Sequence, residues 1–222
     1  MNKESKKILE TMQKENERLL ATNFYRKIGW FRKRILCEVN YLALLNLSDH
    51  TNIQNDVKTA VAKTKEIIDS LTPHQIVRDM KNLLSVRDWR PHLIVCVSLF
   101  FIEEKEEIIE LLWQRLDETS WVAPQIIVSL SYNDKLYNER SRKRLFANFN
   151  KSKGETNKSH EEDYKITVES LSFWSVISST DRDSELEPSQ LDVLKKIQSD
   201  TRDKYFDIAN NWYSSIGQLV EN

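Results

Sequence analysis

Asp88-Trp89-Arg90-Pro91-His92-Leu93-Ile94-Val95 and Ser120-Trp121-Val122-Ala123-Pro124-Gln125-Ile126-Ile127-Val128 decide the reading of this chain. Each stretch pairs a tryptophan with a proline two or three residues later and then turns apolar. The tryptophans stand 32 positions apart. A fixed period of this length marks stacked helical hairpins, because one hairpin cannot bury its apolar face alone. The same spacing carried back from Asp88 reaches Asp56. Three hairpins are therefore expected to begin near 56, 88 and 120.

The first hairpin opens on a helical stripe of Val57, Ala60, Val61, Thr64, Ile68 and Leu71. Thr72-Pro73-His74-Gln75 then ends one helix and starts the next. Threonine suits an N-cap, proline the first helical position, and glutamine can close a capping box. Ile76, Val77, Met80, Leu83 and Leu84 give the partner helix its apolar face. The second hairpin begins with a helix that is apolar nearly all round, through Leu93, Ile94, Val95, Val97, Leu99, Phe100 and Ile102. Such a helix belongs between neighbours. Its partner carries Ile108, Ile109, Leu111, Leu112, Trp113 and Leu116, with Glu103, Glu104, Glu106, Glu107 and Glu110 at the start, where carboxylates complement the helix dipole. The third hairpin has Ile126, Ile127, Val128 and Leu130 first, then Leu136, Tyr137, Leu145, Phe146 and Phe149.

Composition agrees with an all-α chain. Three glycines and four prolines in 222 residues are too few for the turns of a sheet or barrel. We expect a single all-helical domain over 1–222, with N-terminal capping helices in 1–50, three regular hairpins in 56–150, a polar exposed loop in 151–163 and C-terminal helices in 164–222. Ile8, Leu9, Met12, Leu19 and Leu20 predict one N-terminal helix, and Phe24–Leu47 one or two more, broken near Gly29. After the loop, helices are expected near 164–179 and 188–199. A last one carries Tyr205, Ile208, Ala209, Trp212, Ile216 and Leu219.

The net charge of −1 conceals a gradient. Residues 1–100 hold 17 basic and 11 acidic side chains, residues 101–222 hold 16 and 23, so the two ends can steer a partner differently. Cys37 and Cys96 lie in apolar surroundings, outside any metal-type spacing, as expected of buried thiols in a reducing cytoplasm. The N-terminus has no apolar core of a signal peptide, and the run from Leu93 to Ile102 is too short to span a bilayer. The expected location is cytoplasmic, with no membrane partner.

The pattern resembles a HEAT-like α-solenoid, most clearly over 56–150. That resemblance implies stacked antiparallel helical hairpins with atypical capping helices at both ends, and a macromolecular partner held on the inner surface. HEAT-like DNA glycosylases, which excise alkylated bases, are similar in size, helical build and tryptophan-opened helices. Their repeats read Trp-x-Arg-Arg; here Trp89 precedes Arg90-Pro91-His92 and Trp121 precedes Val122-Ala123-Pro124. No catalytic aspartate can be carried over.

Chemistry-bearing patterns are sparse. His50, His74, His92 and His160 are scattered, with none at metal-ligand spacing from another histidine or cysteine. There is no Gly-rich phosphate loop and no nucleophile elbow. The expectation is therefore no catalytic residue, no metal and no cofactor. Two basic clusters remain: Arg26, Lys27, Arg32, Lys33 and Arg34 around Trp30 and Phe31, and Arg140, Arg142, Lys143 and Arg144. They are read as the solvated sides of helices. Trp89 and Trp121 are read as seals between hairpins, and Trp113, Trp174 and Trp212 as core.

The expected function is a non-catalytic protein–protein interaction module. Its candidate binding residues are the exposed positions on the second helices: Arg78, Lys81 and Asn82, then Glu107, Glu110 and Gln114, then Asn138, Arg142 and Lys143. This mixed surface suits a protein better than a polyanion. The alternative is a nucleic-acid-binding HEAT-like solenoid with glycosylase-like chemistry.

Overall fold

The computed structural model describes residues 3–28, 34–47, 54–118, 120–141, 143–144 and 204–220. Expectations for Trp30, Phe31, Arg32, Lys33, His50, Arg142, Leu145, Phe146, Phe149, His160 and Trp174 lie outside the described residues. So do the 151–163 loop and the helices near 164–179 and 188–199. The described elements are α1 (Lys3–Leu20), β1 (Tyr25–Ile28), β2 (Arg34–Cys37), α2 (Tyr41–Asn46), α3 (Gln54–Asp69), α4 (Pro73–Leu84), α5 (Arg90–Ser98), α6 (Glu106–Asp117), α7 (Ala123–Asn133) and α8 (Lys204–Val220). A further helical segment starts at 137. The protein is mostly helical, with one small two-stranded ribbon among the described residues. The chain divides into two compact units, residues 1–111 with 218–222, and residues 112–217.

In the first unit α5 is the central element. Every residue from Pro91 to Ser98 is buried, as its all-round apolar sequence requires. α2, α3 and α4 pack against it, and α1 packs on α4. The helix is shorter than expected: it ends at Ser98, and Phe100 and Ile102 fall in the turn beyond it. Glu103 and Glu104 consequently precede α6 instead of opening it, and Glu106 and Glu107 occupy its first turn. Asp88 caps α5 from two residues upstream, its Oδ1 accepting the backbone N–H of Arg90 at 3.1 Å. His92 is a core residue. Its Nε2 lies 3.1 Å from the Val86 carbonyl, which fixes the proton on that nitrogen.

The helices of the three expected hairpins begin at Gln54, Arg90 and Ala123, within three residues of the predicted starts. The capping box of α4 is present in both halves: Thr72 Oγ1 accepts the Gln75 N–H, and Gln75 Oε1 accepts the Thr72 N–H at 2.9 Å.

The segment 24–47 departs from the helical expectation. β1 and β2 pair antiparallel, with Tyr25 opposite Cys37 and Ile28 opposite Arg34. The ladder continues where the Glu38 N–H donates to the Phe24 carbonyl at 2.9 Å. Phe24 and Val39 anchor the open end of the ribbon in the core, and α2 follows as a short six-residue helix. Cys37 is correspondingly half-buried on a strand, while Cys96 is fully buried.

In the second unit α7 is buried on every residue from Ala123 to Leu130. Trp113 and Trp212 are fully buried. Trp113 donates its indole N–H to Asp134 Oδ2 at 2.7 Å and stacks on Tyr137 with ring centroids 5.8 Å apart. Tyr132 of α7 stacks on Tyr213 of α8 at 4.8 Å and donates its hydroxyl to the Tyr213 carbonyl.

Candidate functional site

A groove of about 750 Å³ opens in the first unit. It forms where α4 leaves α3 and meets the turn between α5 and α6. The end of α3 and its following turn supply Ile68, Asp69 and Leu71; α4 supplies Ile76, Val77, Arg78, Lys81 and Asn82. The opposite wall is Phe101, Ile102, Glu103, Glu104 and Glu107. The floor is thus apolar and the rim charged, which is the usual make-up of a binding site.

The sequence of α4 explains this placement. Met80, Leu83 and Leu84 are buried in the core, whereas Ile76 and Val77 are only half-buried and face the groove. The apolar arc of α4 is wider than one contact needs, so part of it is left over. The early end of α5 has the same effect from the other side: Phe101 and Ile102, displaced from the helix, turn into the wall.

The rim is electrostatically one-sided. Arg78 donates both Nε (3.0 Å) and Nη2 (2.7 Å) to Oδ1 of Asp79, which is fully buried. Oδ2 of the same carboxylate accepts the backbone N–H of Asn23 at 2.8 Å and its side-chain amide at 2.9 Å. Arg78 is therefore held in place by a carboxylate that also ties the turn after α1 to α4. Lys81 is paired with Glu107 across the groove. Lys65 binds Asp69 at 2.5 Å and lies 6.0 Å from the Phe101 ring centroid. Glu103 and Glu104 are exposed and have no ion pair or hydrogen bond among the described residues. The cations of the rim are matched, and two carboxylates are not.

Four of the expected binding residues, Arg78, Lys81, Asn82 and Glu107, meet in this groove. Glu110 and Gln114 lie exposed further along α6, outside the lining. Asn138 is half-buried and Lys143 exposed in the second unit, and Arg142 is not among the described residues. Sequence reasoning passed over Val77, Phe101, Glu103 and Glu104 as site residues. Adjacent Ile76 and Val77, beyond what a single core stripe uses, were the available signal.

Three arginines of the basic clusters have carboxylate partners among the described residues, and Lys27 and Lys143 are exposed. Arg26 pairs with Glu38 across the ribbon. Arg140 approaches Asp134 at 3.5 Å, and Arg144 binds Asp117 while its guanidinium lies 4.5 Å from the Trp113 ring centroid. The two tryptophans that opened the reading differ. Trp89 is half-buried, edge-on to Tyr41 at 6.3 Å, with the Arg90 guanidinium 4.9 Å from its ring. Trp121 is 77 % exposed and is not a buried seal among the described residues, contrary to expectation. Its neighbour Val122 is the residue turned inward at this helix start.

Among the described residues no group of three His, Cys, Asp or Glu is placed to hold a metal ion, and no helix is long and apolar enough to cross a membrane. Comparison with models of known protein families, with curated proteins and with solved structures finds no match.

Proposed function

We propose that this chain is a non-catalytic protein-interaction module of HEAT-like build, and that the α4 groove holds a partner segment presenting apolar side chains beside basic ones. The observation that carries this reading is the combination of an apolar floor with two unmatched carboxylates, Glu103 and Glu104, on its rim. Apolar contact supplies most of the affinity in such a groove, and charge complementarity sets orientation and excludes acidic segments. A polyanion is disfavoured, because Arg78 and Lys81 already have carboxylate partners. The near-regular helix starts support the HEAT-like build.

Peptide display against the whole chain tests the proposal. Selected peptides should alternate apolar and basic residues. Their binding should fall at least tenfold on Glu103→Lys with Glu104→Lys, and again on Val77→Asp. Peptides that are acidic, or binding unmoved by these substitutions, would refute it.

A further inference from the structure

The ion pairs around the α4 groove differ in what they join. Lys65 and Asp69 lie on one helix, four residues apart. Arg78 is paired with the adjacent Asp79, whose carboxylate is fully buried and out of an occupant's reach. Lys81 and Glu107 stand on opposite walls, Lys81 in the last turn of α4 and Glu107 in the first turn of α6. Their side chains are 50 % and 55 % exposed, and both residues line the groove.

Glu107 shares its wall with Glu103 and Glu104, which have no partner among the described residues. That wall therefore carries three carboxylates, and one of them already holds an alkylammonium supplied by the chain itself. Lys81 sits on Glu107 as a basic side chain of an occupant would. An exposed pair of this kind is weak, because water screens it and two long side chains lose freedom to keep it. It can be displaced without disturbing the core. The Arg78–Asp79 pair cannot, since parting it would leave a buried charge uncompensated. Released from Lys81, Glu107 stays favourably placed as an anion, because it lies in the first turn of α6.

We infer that Lys81 is a built-in competitor at the groove: its ammonium holds Glu107 until a basic side chain of the occupant takes that carboxylate over. This rests on the groove being a site for apolar and basic segments, and names the residue that sets its selectivity for basic ones. Displacing Lys81 subtracts from the affinity of every occupant that uses Glu107. Once displaced, the lysine turns into solvent on its flexible stem. Loss of its charge leaves the third carboxylate open and tightens the hold on basic segments.

Fluorescence anisotropy on the full chain, with one labelled apolar–basic peptide chosen by display, provides the test. Lys81→Gln should bind the peptide about two- to fivefold more tightly than the wild type, the range an exposed ion pair is worth. In a Glu107→Gln background the same substitution should leave binding unmoved, because there is no carboxylate to free. An analogue of the peptide with glutamine in place of its basic residues should gain nothing from Lys81→Gln. Lys63→Gln removes a lysine paired with Glu66 on α3, outside the groove lining, and should not change affinity. These substitutions fall on partly exposed residues, and circular dichroism should show the variants folded. A Lys81→Gln variant that binds no more tightly would overturn the inference. So would an equal gain in the Glu107→Gln background or from Lys63→Gln, which would mean that net charge alone acts. If Glu103→Lys with Glu104→Lys weakens the peptide while Lys81→Gln has no effect, the competitor falls and the groove reading stands. If no peptide binds any of these proteins, both fall.

Discussion

Asp79 does the most of any single side chain to shape the candidate site. Its four accepted hydrogen bonds fasten the turn after α1 and fix Arg78 on the groove rim. Asp79→Ala would leave the Asn23 backbone N–H and the Arg78 guanidinium without their acceptor. We expect a loss of about 3 kcal/mol in urea unfolding, since breaking a buried charged pair typically costs 3–5 kcal/mol and Arg78 is partly exposed. A loss under about 1 kcal/mol would show that the carboxylate is dispensable. None of this was legible in the sequence, where Asp79 reads as an ordinary surface acid beside an arginine. Its partner Asn23 is 56 residues away, and local periodicity carries no information about such a contact. The same holds for Trp113. Its place on an apolar stripe was readable, but the 2.7 Å bond to Asp134 depends on the turn after α7 returning to it. Trp121 shows the converse: the sequence offers two adjacent large apolar residues, and only packing decides that Val122 turns in and Trp121 out.

Helices were legible wherever local chemistry writes their ends. Thr72-Pro73-His74-Gln75 is such a case, and the predicted capping box forms in full. Thr72→Ala should cost about 1 kcal/mol, the usual worth of an N-cap, measured by thermal or urea unfolding; no change would mean α4 is held by packing alone. The burial of α5 was equally legible, because a helix without a polar face has to be covered. Leu99→Ala, at its fully buried C-cap, should cost about 2–5 kcal/mol, and a value below about 1 kcal/mol would remove α5 from the centre of the core. The ribbon was not legible. Tyr25–Ile28 and Arg34–Cys37 are four residues each, too short for a period of two to stand out from one of 3.6. Arg26 and Lys27 on β1 and Arg34 on β2 also read as the wet side of a helix. What commits the segment is tertiary: Phe24 and Val39 bury at the open end of the ribbon, and Tyr25–Ile28 pair with Arg34–Cys37.

At the scale of the molecule the sequence indicated helical class and the register of the hairpin starts, and these follow from composition and period. It could not indicate the groove, which exists because α5 stops early and α4 carries more apolar surface than its core contact uses. Burial at this scale also sets how stability responds to alkali. The Cys96 thiol is held well above the ordinary thiol range by complete burial. The phenols of Tyr25 and Tyr137 are likewise raised by burial, reinforced by Cys37 for the first and by the Asp134 carboxylate for the second. The folded protein keeps these protons at pH values where the unfolded chain releases them. Stability from these groups is therefore whole below their ordinary pKa values, 9.0 for the thiol and 10.0 for the phenols, and is lost as pH rises past them. The free energy of urea unfolding should be level from pH 7 to 8 and fall steadily between pH 9 and 11. Tyr137 allows a sharper test, because its buried hydroxyl has no hydrogen-bond partner among the described residues. Tyr137→Phe removes the unsatisfied oxygen while keeping the ring on Trp113, and it removes one of the protons that alkali takes from the unfolded chain. The variant should match or exceed the wild type at pH 7, by up to about 1 kcal/mol, and should lose less stability between pH 9 and 11. A variant that is weaker at neutral pH and equally sensitive to alkali would show that the hydroxyl is bonded in the folded state and that the alkaline loss arises elsewhere.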